Sequence, residues 1–90
     1  MCRNIHPLFN FEPPANEEEI RLASVQFVRK VSGFTKPSTV NAAAFDVAVE
    51  EVSASVAKLL GQLQTTTAPK DRAEEAAKAR ARAARRYGTT

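Results

Sequence analysis

The sequence is poor in the residues that cross-link or interrupt small domains. Its 90 residues contain one cysteine, three glycines and no tryptophan. A single cysteine cannot close an intramolecular disulfide, which excludes the cross-linked scaffolds of small secreted proteins and predicts a reducing, cytoplasmic compartment. The chain also lacks a signal-peptide pattern and any apolar run of roughly 18 residues, so we expect no membrane partner.

Positive charge is concentrated in one part of the chain. The net charge is +3 overall, with +4 in residues 68–90 and −1 in residues 1–67. A chain of this length supports a single hydrophobic core. We therefore expect one core and one basic segment appended to it. Residues 1–67 form a helical core with an N-terminal arm, and residues 68–90 form a basic Ala/Arg-rich C-terminal helix.

Two amphipathic patterns predict the helices of the core. Asn16 and Glu19 have the spacing of a capping box, and Gly33 suits a left-handed C-terminal residue, so a helix is expected over about 17–31. A longer helix is expected over about 41–63, where apolar residues repeat at intervals of three and four. They are Phe45, Ala48, Val49, Val52, Val56, Leu59, Leu60 and Leu63. With the basic third helix, the fold class is all-α, a three-helix small domain with an extended N-terminal arm.

The segments between these helices carry their own signals. Residues 1–15 contain three prolines, which excludes a continuous helix and predicts an extended arm. The arm's apolar side chains predict that it folds back onto the core. We expect Phe34 to turn inward, Ser38 or Asn41 to cap the second helix, and Pro69 to lie in the first turn of the third.

Three stretches, NFEPPANEEEI, QFVRKVSGFTKPS and NAAAFDVAVEEV, closely resemble a family of short bacterial proteins that typically begin MCRNI. The resemblance covers roughly residues 1–65, and the family is a catalogued domain of unknown function. It implies a small helical bacterial protein and supplies no activity, substrate or site. The common form has a basic residue such as arginine where this chain has His6, and that departure argues against a role for the histidine.

Cys2 and His6 are the candidate reactive residues at the start of the chain. Their spacing offers two metal ligands, whereas a structural zinc site needs four and a catalytic one at least three; we therefore predict no metal and no cofactor. Removal of Met1 would make Cys2 N-terminal, so that its own amine could activate the thiol. Positive charge from Arg3 and His6 would favour a redox-sensing thiolate. Alternatively, Cys2 simply packs the arm.

The third helix carries the candidate nucleic-acid-binding residues on one charged arc. They are Arg72, Lys78, Arg82, Arg85 and Arg86. Such an arc can follow phosphates by counterion release. It is equally explained as a solvated surface, since Glu74 and Glu75 can pair with Lys78. The helix order also loosely resembles that of histones, which would require a dimer joined through the second helix.

The other classes of chemistry find little support in the sequence. The acidic residues do not form a convincing general acid/base pair, and neither a glycine-rich phosphate loop nor a Ser-His-Asp pattern occurs. We therefore predict a non-catalytic interaction or oligomerisation module that binds a protein partner or a second copy. The alternatives are a nucleic-acid-associated protein using the Arg-rich C-terminal helix and a redox or nucleophilic thiol protein acting through Cys2.

Overall fold

A helical hairpin forms the centre of the molecule. The computed structural model describes the backbone of residues 5–87 and the side chains of residues 5–85. Helix α1 spans Glu17–Ser32, and helix α2 spans Ala42–Gln62. A 3-10 turn at Thr39–Asn41 leads into α2. The observed ends of both helices lie within one residue of the ends expected from the sequence.

The ends of α1 follow directly from its sequence. The Glu19 amide donates to Asn16 Oδ1 at 2.8 Å, and the Asn16 amide donates to Glu19 Oε1 at 3.2 Å, which completes the capping box. Gly33 ends the helix at φ +81°, a left-handed conformation that favours glycine, and its amide donates to the Arg29 carbonyl. The predicted capping box is therefore confirmed.

The connector before α2 differs from the expectation in two respects. Neither Ser38 nor Asn41 caps α2 with its side chain; Asn41 Nδ2 instead donates to Ser38 Oγ at 3.0 Å. Asn41 occupies the expected N-cap position of α2, but a side-chain cap is absent because the 3-10 turn already gives Asn41 a helical backbone. Phe34 is 41% exposed, so the expectation that it turns inward is wrong.

The buried core is small. Ile20, Ser24 and Val28 of α1 are buried in the hairpin, together with Val49 of α2. The Ser24 hydroxyl donates to the Ile20 carbonyl at 2.8 Å, so this buried polar atom is satisfied. Five further members of the predicted apolar stripe of α2 are only half-buried, namely Phe45, Ala48, Val52, Val56 and Leu60. The hairpin therefore leaves much apolar surface uncovered.

The arm folds back onto the rest of the chain, as its apolar residues predict. Strand β1, Phe11–Glu12, pairs in parallel with strand β2, Lys70–Asp71. Phe11 is opposite Lys70, and Glu12 is opposite Asp71. Leu8 and Phe9 in the arm are half-buried. The sequence analysis missed this strand pair, which is too short to show a periodic pattern.

Helix α3 spans Arg72–Tyr87 and projects into solvent. It begins three residues after Pro69, rather than with that proline in its first turn, because β2 lies between them. Asp71 caps it, accepting from the Glu74 amide at 2.9 Å. Of the α3 side chains that are described, only Arg72 and Glu75 are half-buried, and the others are exposed. No helix in the described part of the chain is long and apolar enough to cross a membrane.

Candidate functional site

Arg72 joins the arm, α1 and α3 at one point. Its Nη1 donates to Glu19 Oε2 at 2.9 Å, and its Nη2 donates to Glu19 Oε1 at 3.0 Å, a two-point ion pair. Its Nε also donates to the Pro13 carbonyl in the arm. Only 32% of the Arg72 side chain and 27% of the Glu19 side chain remain exposed. This pair fixes the first turn of α3 to the first turn of α1.

The Phe11 ring lies beneath two cations. The Arg72 guanidinium carbon is 5.3 Å from the ring centroid, and Lys70 Nζ is 5.4 Å from it. Both distances fall within the range of favourable cation–π contacts. The ring therefore attaches the arm to β2 and to the start of α3.

Asn10 provides a second attachment between the arm and the chain that precedes α3. Its backbone has φ +66°, a left-handed conformation that asparagine tolerates better than most residues. Its Nδ2 donates to the carbonyls of Thr67 and Ala68, each at 3.2 Å. The Lys70 amide donates to the Asn10 carbonyl at 2.8 Å. These bonds hold the arm and the segment before α3 together.

The pKa of the Glu19 carboxyl is lowered by its surroundings. The hydrogen bonds from Arg72 hold the pKa of Glu19 below its ordinary value of 4.5; the Asn16 amide adds to this, while desolvation acts in the opposite direction. Glu19 is therefore ionised at neutral pH, when it serves both the α1 cap and the Arg72 ion pair.

The arm and α3 border a groove of about 390 Å³, lined by His6, Leu8, Phe11, Ala79 and Arg82 among others. His6 is exposed, and its Nδ1 lies 3.0 Å from the Pro7 carbonyl oxygen. Cys2 lies outside the described residues. Within residues 5–87, no three His, Cys, Asp or Glu side chains are arranged so that they could hold a metal ion. A role for the Cys2 and His6 pair therefore stays a prediction.

The five predicted nucleic-acid-binding residues do not form one free surface. Arg72 is engaged by Glu19, and Lys78 Nζ lies 3.3 Å from Glu75 Oε2. Arg82 and Arg85 are exposed, while the Arg86 side chain is outside the described residues. Arg72 thus has a structural role that only its distant partner in α1 reveals, and a phosphate-binding role for it stays a prediction. The remaining arc, and the histone-like analogy, stay predictions.

One side of the hairpin carries an uncharged surface that the sequence alone does not reveal. We define the apolar face as Ile5, Ala23, Phe27, Val52 and Val56, which with Ser24 line a groove of about 290 Å³. Phe27 is 48% exposed and Ile5 is 44% exposed. The apolar repeat of α2 places Val52 and Val56 in the predicted core, whereas the structure leaves both half-buried.

The opposite side of the hairpin is polar. Glu17, Arg21 and Glu50 line a groove of about 300 Å³ there, together with Ser53. The Ser53 hydroxyl is buried and has no hydrogen-bond partner among the described residues. The two sides of the hairpin therefore differ in charge, and only one of them is uniformly apolar.

Comparison with known proteins gives a family but no activity. One protein-family model matches residues 1–78, and its description is an uncharacterized conserved protein, DUF2277. Searches of curated proteins and of solved structures find no match. The family match confirms the resemblance to a small family of unknown function. Since it spans most of the 90 residues, the chain belongs to the DUF2277 family of uncharacterized conserved proteins.

Proposed function

We propose that this protein is a non-catalytic self-association module, in which one chain binds a second copy of itself. The observation that carries the proposal is the area of the single chain. It exposes 7039 Å², whereas a compact monomer of 9.8 kDa is expected to expose roughly 5,200 Å². The excess is about 1,800 Å², and obligate homodimers bury roughly 1,000 to 2,500 Å² on each chain. A second copy would therefore cover an area of the size left open.

The extended shape of the molecule supports the same proposal. Its principal extents are 49 × 38 × 16 Å, and its radius of gyration is 16.3 Å, against about 12 Å for a compact domain of this length. The described side chains of α3 beyond Glu75 are exposed, so α3 does not cover the α1–α2 hairpin, whereas stable domains bury their apolar faces between at least two layers. Association of two chains would supply the second layer.

Sedimentation of the full chain tests the proposal directly. At tens of micromolar we expect a mass of twice 9.8 kDa, with dissociation on dilution. A monomer at all concentrations up to that range, with native helix content by circular dichroism, would contradict self-association. The proposal also places the protein in the cytoplasm, which is supported by its single cysteine.

A second candidate function is nucleic-acid binding through α3. It is supported by the exposure of Arg82 and Arg85 and by the net charge of +4 in residues 68–90. Its test is the affinity for a fluorescent DNA duplex as a function of salt. The logarithm of the binding constant should decrease linearly with the logarithm of the salt concentration. The magnitude of this slope should fall by about 0.9 for each phosphate contact removed, for example by Arg82→Gln. Affinity that does not change with salt would contradict this candidate.

A further inference from the structure

The geometry points to the apolar face as the surface on which the second copy binds. Two α1–α2 hairpins then stack face to face, giving four helices in two layers. This inference rests on the proposed self-association and adds the location of the interface. It places Phe27 in the contact between the two chains, with Val52 and Val56 beside it.

The apolar face can be buried without an electrostatic cost. None of the residues that line its groove carries a charge. Its one polar side chain, Ser24, already donates to the Ile20 carbonyl, so covering the face leaves no hydroxyl without a partner. Burial of this face would remove apolar area from water, which is favourable, without removing a charged group from water.

Two other surfaces of the described chain, the charged side of the hairpin and α3, are less suited to the same contact. A contact through the opposite side of the hairpin would bury Glu17, Arg21 and Glu50, and taking charged groups out of water is costly. The exposed α3 carries charged residues along one arc, including Arg82 and Arg85. The apolar face is therefore the better candidate for the area left uncovered.

The apolar face continues along both helices. Val31 follows Phe27 by one helical turn and is 71% exposed, and Leu59 follows Val52 by two turns and is 53% exposed. In a twofold-symmetric dimer each chain presents the same patch to the other. An uncharged strip on two adjacent helices can meet this requirement because it can pack against an identical strip. This argues for a second copy over a partner with complementary charge.

The location of the interface can be tested with the variant Phe27→Glu. Its matched control is Leu22→Glu. Leu22 lies on α1, is similarly exposed at 42% and is absent from the apolar groove, so both variants add one charge to the same helix. By sedimentation, we expect the Phe27 variant to weaken the dimer at least about thirtyfold, as loss of a central aromatic contact does. The Leu22 variant should match the wild type.

A photo-reactive phenylalanine analogue tests the same location without adding charge. Placed at Phe27 it preserves the apolar bulk, so it remains informative where the glutamate variant unfolds. Illumination should cross-link two copies from position 27 but not from position 22. A cross-link from position 27 to a different cellular protein would overturn the choice of a second copy.

The possible results separate the two proposals. A wild-type chain that is monomeric contradicts both self-association and this interface. A wild-type dimer that persists in folded Phe27→Glu, or that cross-links equally from position 22, overturns the apolar face as the interface and leaves self-association standing. A dimer that is lost only through position 27 supports both.

Discussion

At the scale of single residues, Glu19 stabilises two elements with one carboxylate. Its Oε1 accepts from the Asn16 amide within the α1 capping box, and both of its oxygens accept from Arg72 at the start of α3. Because both roles use the ionised form, protonation weakens the α1 cap and the link to α3 together. Glu19 is therefore the residue at which the stability of the fold should respond to acid.

The pKa of Glu19 predicts the sign of that response. A lowered folded-state pKa means that the stabilisation is fully present above the ordinary pKa of 4.5 and is lost as the pH falls through the folded-state value. At pH 7, Glu19→Gln should lower the free energy of unfolding by about 1 to 2 kcal/mol. Urea unfolding at pH 7 and at pH 3 measures the difference, which should shrink at the lower pH. A difference that is constant with pH would contradict this role.

Ser53 should be a site at which a conservative change stabilises the protein. Its hydroxyl is buried without a hydrogen-bond partner in the described residues, and alanine favours helix over serine. We expect Ser53→Ala to raise the free energy of unfolding by about 1 kcal/mol. Ser24→Ala is the matched control: it removes a hydroxyl that donates to the Ile20 carbonyl, so it should gain less. Equal gains at both sites in thermal unfolding would show that the unpaired hydroxyl has no cost.

At the scale of elements, α3 depends on the contacts at its first turn. Arg72 connects it to Glu19, Pro13 and Phe11, whereas the other described side chains of α3 are exposed, apart from Glu75. Alanine-rich helices of this length are marginal without tertiary contacts. The helix should therefore be the least protected of the three that the described chain contains.

Removing the Arg72 contacts should release both the arm and α3. We expect Arg72→Ala to increase amide hydrogen exchange in both, while the α1–α2 hairpin stays protected. Arg72→Lys should recover only part of the protection, because lysine cannot form the two-point pair with Glu19. Arg82→Ala, which changes an exposed arginine of the same helix, is the control and should leave the arm protected. Uniform loss of protection in α1 and α2 would contradict a local attachment.

The elements that could be predicted from the sequence are those with local signals. The capping box at Asn16, the glycine at the end of α1 and the apolar repeat of α2 each lie within a few residues of the feature they predict. The fold class and both helices of the hairpin follow from them. The family resemblance was likewise carried by contiguous stretches of residues.

The features that could not be predicted depend on residues far apart in the chain. Asn10 meets Thr67 and Ala68 across 57 and 58 positions, and Arg72 meets Glu19 across 53. Neither pair leaves a periodic or local signal. The apolar repeat of α2 likewise indicates that a face will be covered, but not whether this chain or another covers it. The repeat therefore places Leu59 and Leu63 in the predicted core, although both are exposed in the structure.

At the scale of the whole molecule, stability should depend on protein concentration. When a second copy covers the apolar face of a folded chain, the free energy of unfolding rises with protein concentration by mass action. For a dimer that unfolds to two chains, a tenfold rise in concentration is worth about 1.4 kcal/mol. The urea midpoint should therefore rise with concentration for the wild type and be constant for Phe27→Glu. A wild-type midpoint that is independent of concentration across the dimerising range would contradict an obligate dimer.

The central claim is that the apolar face of one chain lies against that of a second chain. An isotope-filtered NMR experiment on a mixture of labelled and unlabelled full-length protein observes only contacts between copies. We expect intermolecular signals from the Phe27 ring to methyl groups of the apolar face, including Val52 or Val56, and none from Leu22. A dimeric sample whose intermolecular signals avoid Phe27 and arise from α3 or from the Glu17 side of the hairpin would contradict the account.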